Sequence, residues 1–118
     1  MNMNIVNVTP HPITFMNPET KEIFEIQPSG VLINARAVEA KIATNGEVEL
    51  VKTTFVSSEE EEEKLSKLES THPNAFIVGS IIAAQAFPGR VLAMTPCPGY
   101  ERVAPAEKRM NLFKFITF

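Results

Sequence analysis

Short runs of alternating apolar and polar residues, each closed by turn chemistry, fill the first half of the chain. Asn4–Val8 is one such run, and it stops at Thr9-Pro10-His11-Pro12, where two prolines cannot donate to a sheet ladder. Ile13–Met16 resumes the pattern, Asn17-Pro18-Glu19-Thr20-Lys21 turns it, and Glu22–Ile26 predicts the return strand of a hairpin. After a second turn at Pro28-Ser29-Gly30, Val31–Ile42 predicts a strand with Ile33, Ala35 and Ala37 on one face. Asn45-Gly46 is a type I′ turn signal, since both central residues of that turn need positive φ, and Glu47–Val56 is the strand it returns.

The period changes at Ser57-Ser58. Ser57 with Glu60, and Ser58 with Glu61, have capping-box spacing ahead of a helix over Glu59–Glu69. Glutamates crowd its first turns, Lys64 and Lys67 follow, and Leu65 and Leu68 supply its narrow apolar stripe, so it reads as a surface helix. Ala75–Val78 is an unbroken apolar run and predicts a buried strand. Gly79-Ser80 then opens a short helix, Ile81–Phe87, apolar nearly all round and therefore buried. Arg90–Met94 reads as a strand, Pro96 to Pro105 as irregular, and Asn111–Phe118 as a terminal strand. Together these elements predict an α+β fold, a mainly antiparallel β-sheet with hairpins, one short buried helix and one acidic surface helix, in a single domain over residues 1–118.

Composition narrows the function. At 118 residues the chain has enough surface to bury one core. The net charge of −3 argues against a DNA or RNA polymer and against an anionic membrane as partner. Glu59–Glu63 carries much of the acid; without it the remainder is slightly basic, which leaves room for a small anion. Cys97 is the one cysteine, so no internal disulfide forms, as suits a reducing cytoplasm. Met1–Val8 has neither a basic start nor a long apolar stretch, so no signal peptide is expected. The apolar stretch Ala75–Pro88 is too short and too interrupted to span a bilayer.

The chain has no Asp, and its glutamates fall in strand, turn and helix-surface contexts, so no carboxylate pair for acid–base catalysis is indicated and the protein reads as a non-enzyme. His11, His72 and Cys97 each precede a proline and lack metal-ligand spacing, so no metal or cofactor is expected. Ser80, at a strand-to-helix junction, is either a plain helix cap or part of an anion site. Arg36, Arg90, Arg102 and Arg109 each read either as a solvated surface arginine or as a phosphate fork, and the last three fall in or near irregular Pro/Gly-rich segments where ligand loops lie. Phe87 has two readings, a core side chain or a stacking face for a base.

Four pieces carry a resemblance: Asn7-Val8-Thr9-Pro10-His11-Pro12-Ile13; Pro28-Ser29-Gly30 with Ala35-Arg36; Ile77-Val78-Gly79-Ser80 running into Ile82-Ala83-Ala84-Gln85-Ala86; and the turn Thr95–Gly99 before a terminal strand. Their order resembles a family of short phage and prophage proteins with an "N-L-T-P-H" strand end and an "I-V-S-A-L-V-A-Q-A" strand–helix, a family similar to the first-described Thoeris anti-defence proteins. The resemblance implies a phage protein in the host bacterial cytoplasm. It would sequester a cyclic ADP-ribose isomer or a cyclic oligonucleotide without cleaving it, as a homo-oligomer (dimer or higher). Arg90, Arg102, Arg109, Ser80, Phe87 and Arg36 are its expected ligand-binding residues, and the acidic helix, whose charge repels phosphate, is expected to be dispensable for binding. Gly79, standing where the family continues an apolar strand, and the acidic helix, standing in a normally shorter connection, depart from the pattern. The competing expectation is a phage interaction protein that binds a host protein through that helix or an exposed hairpin edge.

Overall fold

The computed structural model describes residues 4–118; Met1–Met3, the start of the strand-like opening, lie outside the described residues. The chain forms β1 (Ile5–Asn7), β2 (Ile13–Met16), β3 (Ile23–Ile26), β4 (Arg36–Asn45), β5 (Val48–Val56), α1 (Glu59–Thr71), β6 (Phe76–Val78), α2 (Ile81–Ala86), β7 (Ala93–Pro96) and β8 (Met110–Ile116), with a 3₁₀ turn at Pro105–Glu107. This is an α+β fold, mostly sheet. Both predicted hairpins form: β2 pairs antiparallel with β3, and β4 with β5. The turn of the second hairpin sits one residue later than its type I′ signal predicts: Asn45 pairs with Val48 as the last residue of β4, so Gly46 and Glu47 are the central residues, and of these only Gly46 takes positive φ, at 64°.

Two pairings differ from a hairpin-only picture. β1 and β6 run parallel, in register from Ile5 opposite Phe76 to Asn7 opposite Val78. The sheet β3-β2-β8-β7 is mixed, because β8 runs parallel to β2 and antiparallel to β7. An alternating pattern assigns faces but not strand direction, so these long-range partners were not legible locally. Isolated bridges from Asn7 to Pro28 and from Val78 to Leu92 tie the small parallel pair to its surroundings.

Two strands start later than their sequence patterns predict. Val31–Ala35 is irregular: Ile33 is buried, and its N–H bonds the Val8 carbonyl at 3.3 Å, so this stretch packs across β1 instead of extending β4. After α2, the Arg90 and Val91 N–H groups both bond the Phe87 carbonyl at 3.1 Å, winding the chain into a turn before β7 begins at Ala93.

One core cluster gathers Val6, Val8, Ile77, Ala83, Phe87 and Val91, with Leu65 and Leu68 of α1 inserted from outside. α2 is not buried all round as its sequence predicts: Ala83 and Ala84 are enclosed, but Ile81 and Ile82 face solvent, because only one side of the helix meets the core. A second collects Ile13, Phe15, Val78 and Leu112 under the mixed sheet. Gly79 marks the tightest point of the first. A Cβ there would lie 2.9 Å from Val91 Cγ1 and 3.0 Å from Val8 Cγ2, while the Gly79 N–H bonds the Leu92 carbonyl at 2.9 Å. Among the described residues, no helix is long and apolar enough to cross a membrane.

Candidate functional site

Asn7 organises the loop that follows β1. It is 1% exposed, yet each of its side-chain polar atoms is bonded. Nδ2 donates to the carbonyls of His11 at 2.7 Å and Ile26 at 3.2 Å, and Oδ1 accepts from the Thr9 N–H at 2.9 Å. The Thr9 hydroxyl lies 2.6 Å from Asn7 Oδ1 and 3.0 Å from the His11 carbonyl, so its single proton serves one of the two. The knot folds Thr9-Pro10-His11-Pro12 back over β2 and holds the prolines and His11 at the surface. Asparagine suits this position because only an amide joins two donors to an acceptor at that reach.

The loop forms one wall of a groove of about 410 Å³. Ile13, Met94 and Met110 give it an apolar lining, Thr14 and His11 stand on the loop side, and Ser80, Pro105 and Lys108 complete it. Two of its polar groups are engaged: Thr9 in the knot, and Ser80, whose Oγ accepts from the Ala83 N–H at 3.1 Å as the cap of α2. His11, Thr14 and Lys108 are the groups left to meet a ligand. No carboxylate lines the groove. It can hold a small molecule with a flat apolar part and an anionic part, and it offers no acid–base pair. A wider depression of about 720 Å³ follows α1, but its lining sets Glu60, Glu62 and Glu63 beside Lys64 and Lys67, so it offers no net positive charge to an anion.

The six residues expected from sequence to bind ligand do not converge. Ser80 alone lines the groove. Arg109 sits between two lining residues, Lys108 and Met110; its Nη1 donates to the Lys108 carbonyl at 2.9 Å, and its own carbonyl accepts the Cys97 N–H at 2.9 Å. Arg102 lies in an exposed turn, and Arg36 is exposed at the base of β4 opposite Val56.

Phe87 is 2% exposed and belongs to the first core cluster, so its ring packs in the core and offers no open face to a base. Arg90 is occupied. Its Nη1 bonds both Glu62 carboxylate oxygens at 2.7 and 2.8 Å, and Nη2 and Nε grip Glu69 at 2.7 and 3.2 Å. The guanidinium also lies 5.9 Å from the Phe87 ring centroid. Its bonds to Glu69 and Glu62 push its pKa still higher, so it is a fixed cation already neutralised by its neighbours. A phosphate would have to displace two carboxylates from it.

Among the described residues, no three His, Cys or Glu side chains come together to hold a metal. Cys97 is fully buried, with Sγ 3.6 Å from the Met16 carbonyl, and burial pushes its thiol pKa up, away from the reactive thiolate. Sequence reasoning missed His11, Thr14 and Lys108 as groove residues. The Thr-Pro-His signal was visible, but nothing local indicated that residues near position 108 face it. Compared with protein-family models, curated proteins and solved structures, the chain finds no match.

Proposed function

We propose that this protein holds a small cyclic nucleotide, a cyclic ADP-ribose isomer or a cyclic oligonucleotide, and sequesters it without cleavage, as a phage anti-defence protein acting in the host cytoplasm. The observation that carries the reading is a convergence. The two segments that resemble the phage family most distinctively, Asn7–Ile13 and Ile77–Ala86, meet at one groove, contributing Thr9–Ile13 and Ser80 to its wall. Its volume of about 410 Å³ falls in the range of small-molecule sites. Met94, Met110 and Ile13 offer an apolar seat for a base, and Lys108, with Arg109 beside it, offers cations for phosphate.

Incubation with a panel of cyclic nucleotides, heat denaturation and chromatography of the supernatant tests this. Intact ligand recovered in proportion to protein is expected, and hydrolysed product or no retention by the folded protein would overturn it. Lys108→Ala and Arg109→Ala should each weaken binding about tenfold, since a charge-assisted hydrogen bond contributes roughly 1.5–3 kcal/mol. Arg109→Lys should recover only part of the Arg109 loss, because it keeps charge but not the fork. Titration calorimetry reads all three. A second reading, docking to a host protein, is favoured by the exposed apolar side chains of β4 and β5; a parent protein that retains no member of the panel would leave that reading in place.

A further inference from the structure

The β4–β5 hairpin is an arm. All of its residues from Arg36 to Thr54 are exposed, none belongs to either core cluster, and its main contact with another element is that of β5 with α2. The radius of gyration, 16.6 Å, exceeds the roughly 13 Å of a compact chain of this length, and the long axis reaches 55 Å. An isolated two-stranded ribbon is marginal in water, and three or more strands are usually needed for stability. This ribbon nonetheless exposes Val38, Ile42, Val48, Leu50 and Val51, with Ile42 as much as 65% accessible. Among the described residues β4 pairs only with β5, so its outer edge presents backbone donors and acceptors without a strand partner.

We infer that this edge is a self-association site, at which β4 pairs antiparallel with β4 of a second copy about a two-fold axis at Ala40, giving a four-stranded sheet. The charges select both the occupant and the register. Side chains alternate along β4 from Arg36 to Lys41, and a perpendicular two-fold keeps each face on its own side, so the axis must pass through a residue. Centred on Ala40, within the regular stretch Arg36–Lys41, the pairing sets Glu39 of each copy opposite Lys41 of the other. Centring on Glu39 or Lys41 opposes like charges, and centring on Val38 opposes Glu39 to Ala37 with no ion pair.

The β5 edge has no equivalent register: an axis at Leu50 sets Lys52 against Val48, and one at Val51 sets it against Leu50. Lys41 is free to exchange partners, because its bridge to Glu49 is 3.4 Å long and exposed at both ends. The bulge at Ile42, between Lys41 and Ala43, ends the regular ladder just beyond the Glu39–Lys41 pairs and keeps the edge from adding further strands. This assignment does not rest on the nucleotide reading.

Sedimentation velocity on the full, ligand-free chain over a range of micromolar concentrations tests it. The parent should dimerise. Glu39→Lys alone and Lys41→Glu alone each turn two opposite-charge pairs into two like-charge pairs, and each should raise the dissociation constant about tenfold or more. An equimolar mixture of the two variants should associate, because each supplies the charge the other lacks, and the double variant Glu39→Lys/Lys41→Glu should dimerise like the parent. Thermal melting should show all variants folded, since both positions are exposed. A monomeric parent overturns the inference, as does a dimer indifferent to both single variants. Failure of both the mixture and the double variant to restore association overturns it too.

Discussion

Single atoms decide more here than composition suggests. The missing side chain at Gly79 lets β6 and Val91 close on one another, and Gly79→Ala places a methyl at 2.9 Å from Val91 Cγ1. Overpacking a closed core costs about 1–3 kcal/mol, so this variant should melt several degrees lower with its circular dichroism spectrum unchanged. An unchanged melting temperature would show that Val91 and Val8 give way freely. Arg90 makes a different kind of contact. Its side chain is 33% exposed, so solvent weakens each ion pair, but the fork geometry holds two carboxylates at once. Arg90→Ala should cost about 1–2 kcal/mol of stability and leave ligand affinity within a few fold. A tenfold loss of affinity with an unchanged melting temperature would return Arg90 to the ligand site.

At the scale of elements, α1 shows how charge and packing divide the labour. Ser58 caps it by accepting the Glu61 N–H at 3.3 Å, and Leu65 and Leu68 anchor it. Its acids are partly structural: Glu61 accepts the Asn34 N–H at 3.1 Å, and Glu62 holds Arg90. Replacing Glu59–Glu63 with a Gly/Ser linker should therefore destabilise the protein measurably in urea, while ligand affinity stays within a few fold because no residue of α1 lines the groove. Complete loss of binding by a still-folded variant would place α1 at the ligand. Sequence alone suggested an ornamental helix, because a run of glutamates gives no hint of an arginine twenty-odd residues ahead that would need two of them.

At the scale of the molecule, the arm and the body are separable. Neither core cluster draws a residue from β4 or β5. Excising Val38–Thr54 and closing the gap with an Asn-Gly turn should leave a cooperatively folding body and abolish self-association. A shortened chain that fails to fold would show that the arm stabilises the body as well as extending from it, and one that still dimerises would move the interface elsewhere.

The alternating runs, the Asn-Gly turn and the serine caps act within a few residues, and these local signals specified the hairpins, both helices and the mostly-sheet α+β class. They also placed Ile77, Val78 and Phe87 in the interior, or left that open for Phe87, because burial follows from apolar runs and helix faces. Tertiary structure alone decided the parallel partners of β1 and β2, the clasp of Glu62 and Glu69 on Arg90, and a groove assembled from positions 9–14, 80, 94 and 105–110. The physical reason is range. Turn, cap and period energies depend on neighbours in sequence, whereas strand direction, ion-pair choice and concavity depend on which distant segments the closing core brings together.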